Sequence, residues 1–160
     1  MGSNFRVKKS AAAFLLLLAG TISGCYLNGH LFPVRGPLAS MTPPPTLSAR
    51  VSGEFNSGNM SVTLPDGEIC KGQLSTVSQN PAQNNGHQGA SLASAWDSVY
   101  GQGFYTAHIL GAKLLLRGRL TGNNGAFLVV ELYRPVTPKG VGEVKGVGSD
   151  NSGNIFKIGF

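Results

Sequence analysis

KLLLRGRLTGNNGAFLVVELY, residues 113–133, carries two strand patterns on either side of a turn. Leu114, Leu116 and Leu120 recur at alternate positions with Gly118 in step, while Lys113, Arg117 and Arg119 fall between them. Successive side chains of a strand point to opposite faces, so this segment has one apolar and one basic face. Its neighbour, 126–133, is apolar on both faces except at Glu131, which points to an ion pair with Arg117 or with Lys113. The TGNNG turn allows two registers, and a slip of one residue exchanges the faces.

The same pattern repeats outward from this hairpin. MSVTL runs through Pro65-Asp66-Gly67 into EICKGQLSTV. Pro presets φ there and Gly supplies the positive φ before the return strand. A three-residue loop at that turn pairs Leu64 with Glu68 and Val62 with Cys70. GEVKGVG leads through SDNSGN into IFKIGF, a third hairpin, and single strands are expected near 48–55 and 103–110. The reading is an all-β domain over 48–160: a small antiparallel β-barrel or β-sandwich of about eight strands with one short helix. Gly142, Gly146 and Gly148 alternate in one strand, which suggests close packing against a bulky side chain.

One region departs from this alternation. Residues 78–90, SQNPAQNNGHQGA, are polar and read as a loop. In SLASAWDSVYG, Leu92, Ala95/Trp96 and Val99 lie three or four apart, the spacing of one helical face. Ser91 or Ser94 is the expected cap and Gly101 the expected stop. Trp96 and Tyr100 are expected to lie on the sheet or to plug a barrel end.

The residues give little support for catalysis or metal binding. His30, His87 and His108 are scattered, without the spacing of a metal site. Asp150-Asn151-Ser152-Gly153-Asn154 supplies one carboxylate where a calcium loop needs several, and reads as a hairpin turn. GVGEVKGVG matches neither a dinucleotide nor a phosphate loop. Cys70, beside Val62, reads as a buried thiol. No catalytic residue, metal or cofactor is assigned, and a non-enzymatic role is expected.

The first 25 residues have another character. Arg6, Lys8 and Lys9 precede the uninterrupted apolar run AAAFLLLLA, and small residues follow. That order is the order of a secretory signal peptide, and the run is too short to span a bilayer comfortably. Ile22-Ser23-Gly24-Cys25 resembles the lipobox of bacterial lipoproteins: an aliphatic residue, a small one, Gly or Ala, then Cys. The resemblance covers residues 1–25 alone. It implies cleavage after residue 24, diacylglycerol on Cys25 and acylation of the new amino terminus. Several chains on one residue make release from a membrane slow, where one chain holds only marginally. In that family an Asp after the Cys retains the protein at the inner membrane. Tyr26 stands there instead, which implies the outer membrane, facing the periplasm.

Residues 25–47 then read as the lipidated Cys and a Pro-rich tether, with five prolines between 26 and 47. Removing the leader also removes three of thirteen Lys/Arg, leaving ten against seven Asp/Glu from Cys25 onward, a balance of +3. So mild a charge does not indicate a nucleic-acid partner. The expected partners are the membrane, through Cys25, and another envelope protein. The candidate contact surface is Trp96, Tyr100, Phe104, Tyr105, Arg117 and Arg119. The expected role is that of a structural or interaction lipoprotein. The alternative is a carrier whose barrel interior holds a small apolar ligand, and a cavity lined by Leu, Val and Phe would favour it.

Overall fold

The computed structural model describes residues 26–54, 57–77 and 92–160, apart from the side chain of Glu54. The leader, Cys25, the loop over 78–90 and the Ser91 cap lie outside them. The described chain forms a closed antiparallel barrel of eight strands. In chain order the strands are β1 (Tyr26–Arg35), β2 (Leu47–Glu54), β3 (Ser57–Thr63), β4 (Ile69–Thr76), β5 (Leu115–Thr121), β6 (Phe127–Tyr133), β9 (Lys145–Asp150) and β10 (Ile155–Gly159). A two-stranded hairpin, β7 (Val136–Thr137) and β8 (Gly140–Val141), projects between β6 and β9. Neighbours around the barrel run β1-β10-β9-β6-β5-β4-β3-β2, and β1 closes the ring by pairing with both β10 and β2. Closure leaves no free sheet edge.

The turn chemistry sets the registers. At Pro65-Asp66-Gly67, Gly67 adopts φ +86° and the Leu64 N–H donates to the Glu68 carbonyl at 2.8 Å. Val62 therefore faces Cys70, as the loop length implies. In the hairpin of β5 and β6, Arg117 sits directly opposite Glu131, which resolves the register. Leu116, Gly118 and Leu120 then point inward with Leu128, Val130 and Leu132. Gly146 on β9 also points inward. A Cβ there would come within 2.6 Å of Leu132 and 2.9 Å of Ile158, so the large neighbours occupy the space that its missing side chain leaves.

Residues 26–47 correct the expected tether. Leu27, Gly29 and Leu31 alternate inward as in any barrel strand, and Pro33 sits beside a register shift that spares the ladder a missing donor. The remaining prolines lie in 36–46, which crosses one barrel end. Pro37 opens a short 3-10 turn (Pro37–Ser40), and the Leu38 N–H donates to Asn154 Oδ1 at 2.8 Å. The Leu38 side chain packs onto the inner core, closing that end. The segment is a strand plus a plug, and the barrel begins at the residue after Cys25.

Residues 103–110 also differ from expectation. They form no strand. Tyr105–Ile109 make a π-helical turn in which the Leu110 N–H donates to the Tyr105 carbonyl at 2.9 Å. With α1 (Ala93–Tyr100) this turn lies on the outer wall. There Trp96, Ile109 and Leu92 join the outward residues Leu115, Val129 and Val147 in a second apolar cluster. Gly101, at φ +106°, ends the helix as expected.

Candidate functional site: the open mouth of the barrel

The two ends of the barrel differ. At the plugged end the inner core is dense: Leu31, Val62, Cys70, Leu120, Leu128 and Phe156 are all buried. At the other end lies a pocket of about 480 Å³. Leu27, Val51, Leu74, Leu116, Leu132 and Phe160 form its walls, with Gly53, Gly58 and Val144 completing the apolar lining. Tyr26, Arg134 and Glu143 stand at its rim. The opening follows from sequence: Gly58 takes an inward position that a larger residue would fill. A space of this size, apolar with few polar groups at its edge, has the proportions of a small-molecule site, for which about 300–1,000 Å³ is usual.

The outer wall holds the residues anticipated as a contact surface, and two of them are inaccessible. Trp96 is 0 % exposed and Arg117 8 %. The helix lies across the outward face of the sheet, so the basic face expected from strand alternation is covered at Arg117. Glu131, also 0 % exposed, collects the polar groups beneath the helix. Its Oε1 accepts from Arg117 Nε at 2.7 Å and from the Leu92 N–H at 3.2 Å, and its Oε2 accepts from the indole N–H of Trp96. A second Arg117 nitrogen lies 2.6 Å from Oε1. The carboxylate thus meets the Leu92 N–H at the start of α1, where the helix dipole favours negative charge.

Tyr100 and Phe104 stack on Trp96 at ring-centre distances of 5.4 and 5.9 Å and remain half-buried, as does Tyr105. Lys145 sits 5.3 Å above the Tyr100 ring. Burial pushes the Tyr100 hydroxyl above its ordinary pKa, and the hydroxyl donates to the Gly146 carbonyl at 3.4 Å. Arg119 is exposed and lies 3.8 Å above the Phe127 ring, apart from the aromatic stack. The structure therefore brings Trp96, Tyr100, Phe104 and Arg117 together as packing, and leaves Arg119 separate.

The contribution of Tyr26 and Leu27 to the mouth escaped the sequence reading because residues 26–47 read as a tether. Alternation of Leu27, Gly29 and Leu31 is the signal that marks them. Among the described residues, no group of three His, Cys, Asp or Glu is arranged to hold a metal ion. No protein family, curated protein or solved structure matches the chain.

Cys70 is fully buried, and its thiol faces the Ala126 carbonyl at 3.9 Å. Burial pushes its pKa up, and Glu68 and Asp66 add to the shift. A raised value means that the fold favours the neutral thiol. Its stabilising effect is complete below the unfolded pKa and is lost as pH rises through the folded one. Iodoacetamide at pH 8 is expected to leave Cys70 unmodified in the native protein and to alkylate it in urea, as read by intact mass. Alkylation of the native protein at the unfolded rate would show the thiol to be open to solvent.

Proposed function

We propose that the protein is a lipid-anchored envelope lipoprotein, held at Cys25, whose barrel mouth binds a small apolar ligand. The pocket of about 480 Å³ between Leu27, Val51, Leu132 and Phe160 carries this reading. Burial of Trp96 and Arg117 supports it from the other side, because the surface that an interaction module would use is largely consumed by packing. The ligand is apolar along most of its length. Tyr26, Arg134 and Glu143 offer polar contacts where it leaves the pocket.

Binding to the folded state alone raises stability by about 2.7 kcal/mol at a ligand concentration 100-fold above Kd. For a domain of this size that corresponds to a rise in Tm of roughly 10 °C. A long-chain fatty acid is the probe, and Val51→Trp fills the mouth. The wild-type protein is expected to melt higher with the fatty acid present, and the variant to melt unchanged. Equal shifts in both proteins would remove the mouth as the site.

A further inference from the structure

We propose that the rim of the mouth is itself a membrane-docking surface, so that the barrel stands mouth-down on a bilayer containing anionic lipid. The proposal rests in part on the reading of Cys25 as the anchor, and the rim observations are independent of it. The described chain enters the barrel at the mouth: Tyr26 pairs with Ser52 on the rim and is 58 % exposed. With no tether between Cys25 and β1, an anchor at Cys25 holds this end of the barrel against the lipid.

The hairpin of β7 and β8 projects from the same end, between Tyr133 and Lys145. Val136 and Val141 face each other across it and are 66 % and 56 % exposed. Every residue from 136 to 141 is exposed, so among the described residues no other segment covers the pair. The charges of 134–145 are Arg134, Lys139 and Lys145 against Glu143. Two valines flanked by cations suit an interface in which apolar side chains enter the acyl boundary and cations meet anionic headgroups. At the plugged end Arg35, Lys71 and Arg119 are matched by Asp66, Glu68 and Asp150, whereas the hairpin segment itself carries three cations against one acid. Mouth-down docking lets an apolar ligand pass from bilayer to pocket without crossing water.

The test uses the full-length lipoprotein purified from membranes and reconstituted into phosphatidylglycerol vesicles. Single cysteines at Val136 (Val136→Cys) and, as a control on the plugged end, at Ile69 (Ile69→Cys) are labelled with an environment-sensitive NBD dye; the acylated Cys25 and buried Cys70 stay unlabelled. At 136 the dye is expected to brighten several-fold and shift blue relative to its signal at 69. Lys139→Glu is expected to weaken that response, as is replacing phosphatidylglycerol with phosphatidylcholine. Equal, water-like signals at both positions would overturn the docking rim. The mass of the peptide starting at Cys25 judges the anchor separately: acyl mass with equal signals keeps the anchor and discards the rim. A bright signal at 136 without acyl mass, reproduced in a Cys25→Ser background so that no dye sits at 25, does the reverse.

Discussion

Glu131→Ala is expected to lower stability by about 3–5 kcal/mol, the cost of leaving a buried charge without its partner. Glu131 is fully buried, and Arg117 beneath it is nearly so. The substitution strands the guanidinium, the indole N–H of Trp96 and the N–H of Leu92 at once. A domain of this kind holds about 5–15 kcal/mol in total, so a large part of the margin disappears. The midpoint of urea unfolding measures it. Pairing Glu131→Leu with Arg117→Met is expected to recover the share owed to the stranded guanidinium, while the indole N–H of Trp96 and the Leu92 N–H stay unpaired. A Glu131→Ala midpoint within error of wild type would mean that water reaches Arg117 and that the helix does not seal the wall.

Trp96→Ala is expected to cost a further large amount, about 3–5 kcal/mol on its own. The ring is wholly buried between α1 and the outer face of the sheet, stacked on Tyr100 and Phe104 and edge-on to Tyr133 at 6.4 Å. Removing it opens a cavity under the helix and takes one donor from Glu131. Trp96→Phe separates the two effects, since it keeps most of the ring and removes only the N–H. Trp96 and Glu131 share a hydrogen bond, so their losses should fall short of additive by about 0.5–3 kcal/mol in a double-mutant cycle. Strict additivity would contradict the shared network. Trp96 is the single tryptophan of the chain, which makes its fluorescence a direct reporter of the helix lifting from the wall.

Local signals carried much of the fold. The Pro-Asp-Gly turn fixed Val62 against Cys70, the alternation of β5 identified its inner leucines, and Glu131 pointed to Arg117 or Lys113, between which the observed register selects Arg117. The spacing of Leu92, Trp96 and Val99 and the glycine at 101 described α1. Closure of the barrel depended on a contact with no local signature. β1 pairs with β10 across more than a hundred residues, and its prolines lie at a bulge and in the plug, where no ladder donor is needed. The barrel nonetheless has eight strands, because β1 takes the place of the strand expected at 103–110. The alternation of that segment serves a turn that packs sideways onto the wall. The fate of the outward face of β5 was equally non-local: whether Arg117 meets solvent depends on a helix from another part of the chain.

These differences move the candidate site. A wall covered by α1 offers little surface at Trp96 and Arg117, while a barrel plugged at one end presents an apolar opening at the other. The chain joins that opening at Tyr26, next to Cys25. The proposed anchor, the pocket and the exposed valines therefore belong to one end of the molecule, and that shared placement links the proposed ligand to the membrane.

Native mass spectrometry of the full-length protein, released from detergent after purification from membranes, tests this most directly. The wild-type protein is expected to carry one lipid of defined mass beyond the acyl groups proposed on Cys25, and Val51→Trp, folded with the same circular-dichroism spectrum, is expected to lose it. A wild-type protein with no additional mass, or a lipid retained equally by Val51→Trp, would contradict the account.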